Sequence, residues 1–330
     1  MNKSKNILLV TGMDPGFKWY PVSEELPFQN TMDYFFTNKK SPLDFLKNIV
    51  ALNKLQKKSD IVVVQGIVLE ILFLCFFSFT WRKKTSTKWI LVEMGLEKKL
   101  KIFKKIILQA YLLNFNVVQT FSNELKSYLE TLSPNSVRIY VVPCMYSYSN
   151  YAKLDVEKLP KKTKEEILSV GRTGRDFEYF ISEVKGLTVP VKIIGKADSK
   201  NQSENISSLH EIPYADLLDL IKGTKLLVIS LKESDFPLGI RLIFLGMQYG
   251  CYVLFTNISG NYEYFSNHKY IDEITFSNKP GELLKKISAL NEGNTDQVIA
   301  YNLQYLEKHF SPKRYIFDFN NILRSENFFT

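Results

Sequence analysis

Two short stretches of this chain combine residue types that bind anions. Ile167–Leu168–Ser169–Val170–Gly171–Arg172–Thr173–Gly174–Arg175–Asp176 reads as an apolar strand, a glycine turn carrying two arginines, and a helix that starts at Asp176. Glycine lets the backbone approach a ligand closely, and a guanidinium fork matches phosphate oxygens bidentately. The same pattern also fits an ordinary strand-to-helix turn whose arginines are merely solvated. The second stretch is Glu233–Ser234–Asp235–Phe236–Pro237–Leu238–Gly239–Ile240–Arg241, which follows the strand-like KLLVIS and leads into the apolar LIFLGMQYG at 242–250. The first N–H groups of a helix have no intrahelical partner, so the Leu238, Gly239 and Ile240 amides favour an anion, with Arg241 adding charge. A helix start with favourable acids and nothing bound is the alternative. Taken together, the two stretches place a pair of cradles at strand carboxyl ends in one half of the chain, where a single diphosphate would fit.

Other chemistries are excluded by composition. The three cysteines, Cys75, Cys144 and Cys251, are far apart and sit in apolar segments, with neither disulfide nor metal spacing. The histidines are His210, His268 and His309, too few and too dispersed for a His-rich metal site. A metal-free site and a reducing, cytoplasmic compartment are expected. The net charge of +9 is unevenly placed: residues 1–150 hold 20 Lys+Arg against 11 Asp+Glu, while the remainder is balanced. Nine basic residues fall between Arg82 and Lys105, opposed only by Glu93 and Glu97. Such a patch points to a polyanion or an anionic membrane surface. No nucleic-acid recognition motif accompanies it, so no nucleic acid is expected as a partner.

The elements that must position these residues alternate between short β-branched runs and longer helical patterns. Strands are predicted at Asn6–Val10, Asp60–Gln65, Lys88–Val92, Asn116–Thr120 and Arg138–Pro143, then at Glu166–Val170, Pro190–Ile194, Lys225–Ser230 and Cys251–Phe255. Helices are predicted near 42–57, 97–113, 122–132, 176–186, 214–222, 239–249, 280–309 and 311–325. Alternation of this kind gives an α/β fold with parallel sheets covered on both faces. The polar, Lys-rich stretch 147–166 has linker composition, dividing the chain into a domain at 1–150 and a second at 151–330, with the final helix free to pack back on the first. Ligands in such sheets sit at strand carboxyl ends.

The residues from Pro237–Leu238–Gly239 through Met247 to Gly250–Cys251–Tyr252–Val253–Leu254 resemble the "G-x-x-x-l-l-E-A-M-a-x-G-k-p-V-i" signature of retaining family 4 glycosyltransferases (glycosyl transferases group 1). Asn257–Tyr264 is similar to the turn that follows it, SVGRTGRDF to the family's diphosphate-binding turn, and residues 212–230 to the stretch that begins near the nucleotide base. PGELLKKISAL (280–290) and the tail at 305–323 continue the likeness. In the first half it is fainter: DIVVVQG (60–66) stands where the family often shows "D-v-v-H-x-H-g", and FSNELKSYLE (121–130) resembles one of its helices.

The resemblance implies the GT-B architecture, two Rossmann-like domains with parallel sheets facing each other across a cleft. It also implies a nucleotide sugar bound chiefly by the second domain and metal-independent transfer of a hexose with retention. Carried over, Arg172 and Arg175 hold the donor diphosphate and stabilise the leaving group, Gly171, Thr173, Leu238, Gly239, Ile240 and Arg241 line it, and Ile212 meets the base through its main chain. The family's two glutamates, eight positions apart, fall on Pro237 and Leu245, so that Glu233 or Asp235 replaces the first only if the loop shifts. Its two histidines fall on Val63 and Gln65. Asp14, Gln65 and Glu93 are the acceptor-side candidates, and Asp14 or Glu93 would serve as base in an inverting enzyme. A non-catalytic GT-B-like subunit that positions a partner transferase is the rival, supported by Leu245.

EKKLKIFKKIILQAYLL (97–113) places Leu100, Phe103, Ile106, Ile107, Ala110 and Tyr111 along one stripe with lysines over much of the rest, a basic amphipathic helix. The apolar run Ile67–Trp81 is shorter than the roughly 20 residues a spanning helix needs. The expected setting is the inner face of a bacterial-type cell membrane, contacted through 82–113 beside a glycan or lipid-linked acceptor in surface-polysaccharide assembly. The alternative is two ordinary core helices with solvated lysines.

Overall fold

The computed structural model describes residues 6–11, 31–36, 42–65, 87–94, 101–133, 135–146, 157, 159–196, 203–290 and 295–328. It divides into two compact units, one of residues 1–143 with 312–330 and one of residues 144–311. The division falls at Pro143/Cys144, and the C-terminal segment belongs to the first unit.

In the first unit six strands form one sheet: β1 (Asn6–Thr11), β2 (Thr31–Phe36), β3 (Ile61–Gln65), β4 (Lys88–Met94), β5 (Val117–Thr120) and β6 (Arg138–Val141). Their spatial order is β2-β1-β3-β4-β5-β6 and every pairing is parallel. All five residues of β3 are buried, as expected for a strand covered on both faces. Among the described residues three helices connect strands of this sheet: α1 (Pro42–Gln56), α2 (Ile102–Leu112) and α3 (Asn123–Glu130), the last capped by Ser122, whose hydroxyl accepts from Leu125 N–H at 3.2 Å.

The second unit holds β7 (Lys164–Val170), β8 (Val191–Ile194), β9 (Ile206–Leu209), β10 (Thr224–Ile229), β11 (Tyr252–Thr256) and β12 (Thr275–Phe276). The order is β12-β11-β10-β7-β8-β9, again all parallel. This is the doubly wound arrangement: the chain runs outward from β7 to β9, returns to β10 beside β7, and runs out the other way. Among the described residues seven helices accompany it: α4 (Phe177–Val184), α5 (Tyr214–Gly223), α6 (Ile240–Gln248), α7 (Ser259–Phe265), α8 (Ile271–Ile274), α9 (Glu282–Ala289) and α10 (Thr295–Phe310). The expected helix at 280–309 is two helices here. α6 is anchored by aromatic packing: Phe244 lies 4.7 Å from Phe310 and 6.1 Å from Phe265, centroid to centroid.

The last helix, α11 (Pro312–Ser325), buries Tyr315, Ile316, Phe319, Ile322 and Leu323 at helical spacing. Beyond it the Glu326 carboxylate accepts from Arg138 Nη1 at 2.7 Å and from the Tyr140 hydroxyl, while Lys88 donates to the carbonyls of Glu326 and Asn327. Phe328 is buried under the Lys88 ammonium, 4.9 Å from its ring centroid. The tail is thus tied to the first unit by three side chains from β4 and β6.

Candidate anion and donor site

Ligands of a doubly wound sheet bind outside the strand carboxyl ends where the strand order reverses. In the second unit that point lies between β7 and β10, and the two stretches expected to bind an anion follow those two strands. Their loops are stitched together. Arg175 and Leu231 form an antiparallel bridge, Lys232 N–H donates to Gly174 O at 2.9 Å, and Asp176 N–H donates to Ser230 O at 3.0 Å.

Arg175 is the focus of this crevice. Its Nε donates to Val170 O at 2.8 Å and its Nη1 to Thr173 O at 3.2 Å. Among the described residues no carboxylate pairs with it, and burial pulls its pKa down to about 10. The guanidinium folds back over Gly171, where a Cβ would stand 2.1 Å from Nε. With φ at +140° that position needs glycine twice over, for the backbone and for the arginine packed on it.

The other side of the guanidinium faces the start of α6. Gly239, the residue before the helix, has φ +70°, and a Cβ on it would lie 3.3 Å from Arg175 Nη1. The Gly239 and Ile240 N–H groups take no acceptor among the described residues. A largely buried cation without a counter-ion therefore sits beside the positive end of a nine-residue helix. Both features favour a bound anion.

The expected role of the Leu238 amide is corrected by the structure. Leu238 N–H donates to Asn261 Oδ1 and Asn261 Nδ2 donates back to Leu238 O, each at 2.9 Å. A buried side-chain amide thus engages both backbone polar groups of Leu238 and fixes the turn from which Gly239 and Ile240 present their amides. Asn261 lies on the first turn of α7 and carries no motif that marks it in the sequence.

Arg172 and Arg175, equivalent on paper, have separate environments. Arg172 is exposed and forms an ion pair with Glu211, which follows β9. Its 62% side-chain exposure places it at the rim rather than the floor of the crevice. Thr173 is also exposed, and Ile212, next to Glu211, is half-buried. Glu233 is turned toward α7, its Oε1 accepting from Ser259 N–H at 3.2 Å and Ser259 Oγ at 2.9 Å. Asp235 and Arg241 are exposed, Arg241 on the first turn of α6.

A second tie was also not legible in sequence. Asn278 Nδ2 donates to Asp176 Oδ2 at 3.1 Å and Leu231 O at 2.8 Å, and its Oδ1 lies 3.0 Å from the Thr256 hydroxyl. Thr256 Oγ1 in turn accepts from Leu231 N–H at 2.9 Å. Three strand ends and the start of α4 are thereby locked to one another, with Asp176 Oδ1 capping that helix at Tyr179 N–H.

In the first unit Gln65 is buried at the carboxyl end of β3, level with Thr11 of β1 and Val92 of β4. Strand order reverses there too, between β1 and β3. Glu93 lies in β4, its side chain outside the description, and Asp14 falls outside the described residues altogether. No cluster of three or more His, Cys, Asp or Glu that could hold a metal occurs among the described residues. Likewise, no described helix is long and apolar enough to cross a membrane, and Ile67–Trp81 lies outside the description.

The amphipathic stripe expected at 97–113 is shifted. Among the described side chains of α2, Leu108, Tyr111 and Leu112 are buried, whereas Ile106 is 55% exposed. Leu100 falls outside the described residues.

No protein-family model and no curated protein matches this sequence. Solved structures do match over nearly the whole chain. A sucrose-phosphate synthase from Thermosynechococcus elongatus aligns with a TM-score of 0.70 at 11% identity, covering 97% of this chain and 98% of that one. The catalytic domain of starch synthase IV from Arabidopsis thaliana, bound to ADP and acarbose, aligns at 0.69 and 9%, covering 98% and 99%. A glycosyltransferase from Rickettsia africae ESF-5 aligns at 0.66 and 16%, covering 98% and 99%. At these identities the likeness is one of fold: the chain has the α/β GT-B architecture of two Rossmann-like domains.

Proposed function

We propose that the protein is a glycosyltransferase that moves a hexose from a nucleoside-diphosphate sugar to a glycan or lipid-linked acceptor. The observation that carries this reading is the half-buried Arg175 guanidinium, which pairs with no carboxylate among the described residues, is held by two carbonyls and is set against the Gly239 start of α6. A pyrophosphate supplies the missing charge. As the sugar leaves, negative charge grows on the departing phosphate, and a preorganised guanidinium with two helix-start amides stabilises it without rearrangement. Arg172 at the rim would reach the same phosphates by exchanging Glu211 for them, and Ile212 beyond it would meet the base. The fold neighbours support the assignment, since one is a starch synthase bound to ADP and acarbose and another is a sucrose-phosphate synthase.

Transfer proceeds in this reading with retention and without metal, the acceptor hydroxyl attacking from the face the nucleotide leaves. Gln65, Asp14 and Glu93 are the acceptor-side candidates. The basic surface of the first domain contacts the inner face of a bacterial cell membrane, where lipid-linked acceptors for surface polysaccharide are assembled. A donor-hydrolysis screen over nucleoside-diphosphate sugars tests the activity, and the anomeric configuration of the product tests retention. The rival reading, a non-catalytic subunit that positions a partner transferase, is favoured by one feature: Leu245 of α6 occupies the place of the glutamate that contacts the donor ribose in the family resembled. A chain that binds nucleoside diphosphate yet releases no sugar with any donor or acceptor would support it.

A further inference from the structure

Three connections of the first sheet that carry a described helix run in one direction across it: β2 to β3 through α1, β4 to β5 through α2, and β5 to β6 through α3. Parallel crossovers are right-handed, so helices on connections that advance the same way lie on the same face of the sheet. The outward sides of α1 and α2 therefore point in one direction, as a flat partner requires.

Those outward sides share a chemistry. On α1, Lys47, Val50, Ala51 and Lys54 stand at i, i+3, i+4 and i+7 and line a surface hollow of about 390 Å³, with Val50 56% exposed. On and just beyond α2, Ile102 and Ile106 are exposed, with Leu113 40% exposed in the same line, and exposed Lys101 and Lys104 lie alongside. The helix carries no acid. By contrast, α3 shows water Asn123, Glu124, Ser127 and Glu130 and no large apolar side chain. Exposed aliphatic side chains rimmed by lysines, on one side of a domain that holds the chain's entire positive excess, complement an anionic lipid surface.

We propose that α1 and α2 form a two-helix docking face for anionic lipid bilayers, with Val50, Ile102, Ile106 and Leu113 entering the interface and Lys47, Lys54, Lys101 and Lys104 contacting headgroups. This rests on the membrane reading above and extends it to α1, which lies outside the basic segment 82–113 and carries half of the headgroup contacts.

The test is co-sedimentation of the full chain with phosphatidylcholine vesicles that contain or lack phosphatidylglycerol. Wild type is expected to bind only the anionic vesicles. K47E/K54E and K101E/K104E should each lower the partition coefficient about tenfold or more, and I106D should do likewise, while K126E on α3 leaves it unchanged. All these side chains except the half-buried Lys126 are exposed, and circular dichroism checks the fold. If K47E/K54E binds like wild type while K101E/K104E does not, the role of α1 is refuted and membrane contact through α2 stands. If wild type ignores anionic vesicles, or instead binds through this face to an acidic protein or nucleic acid, both are refuted.

Discussion

Arg175 Nη1 lies 3.3 Å from the point where a Cβ on Gly239 would stand. A guanidinium and a helix N-terminus are both positive, and each weakens the other's hydration by burial. Their apposition is unfavourable when empty and favourable with an anion between or beside them.

Arg175→Ala should therefore abolish donor binding and lower any transfer at least about a hundredfold, with little loss of fold. Arg175→Lys should fail as well, because an ammonium cannot hold Val170 O and Thr173 O while presenting a fork to phosphate. Gly171→Ala offers an independent route to the same end, since its Cβ would overlap Arg175 Nε and displace the guanidinium. Turnover near that of wild type in any of the three would remove Arg175 from the site.

Asn261→Ala tests the clamp behind the helix start. It leaves the Leu238 N–H and carbonyl without partners at a buried position, at a cost of about 2–4 kcal/mol for the two groups. Thermal unfolding should shift down, and nucleoside-diphosphate affinity should fall even at temperatures where the variant is folded. An intact affinity would mean that the Gly239 and Ile240 amides are positioned by something else.

Glu211→Gln should tighten binding of a nucleoside diphosphate. The carboxylate would compete with phosphate for Arg172, and an exposed pair of this kind is worth up to about 1 kcal/mol, so a gain of about two- to fivefold is expected. The gain should shrink with added salt. Weaker binding in the variant would show instead that Glu211 contacts the ligand.

His268 predicts a pH dependence. It is buried among Phe265, Tyr301 and Tyr305, its Nδ1 accepts from Tyr270 N–H at 3.2 Å, and burial lowers its pKa to about 4. The unfolded chain binds this proton near the ordinary value of about 6.5, so it holds more protons than the folded chain between those limits. Stability from this group is complete above about 6.5 and is lost as pH falls toward 4, by about 2–3 kcal/mol. Urea unfolding midpoints should drop over that window and drop less in His268→Phe; identical slopes would remove His268 as the cause.

The α/β class and most strands were legible because runs such as IVVVQ and KLLVI are β-branched and buried on both faces. β2, TMDYFF, was not, since Asp33 interrupts its apolar run. β9, ISSL, is an edge strand with Ser207 and Leu209 exposed, so burial left no signature on it. The two turns that the structure brings together after β7 and β10 were legible from glycine and arginine spacing. What separates Arg172 from Arg175 was not, because only the fold decides which of two neighbouring arginines turns back over Gly171. Asn261 and Asn278 act across 23 and 47 residues of chain on backbone groups, and such contacts have no periodicity.

The most direct measurement is calorimetric titration of the wild-type chain and Arg175→Ala with a panel of nucleoside diphosphates, without added metal. A single nucleoside diphosphate should bind wild type, and the variant should lose at least about tenfold in affinity. Absence of binding by wild type to every member of the panel, or equal binding by the variant, would contradict the account.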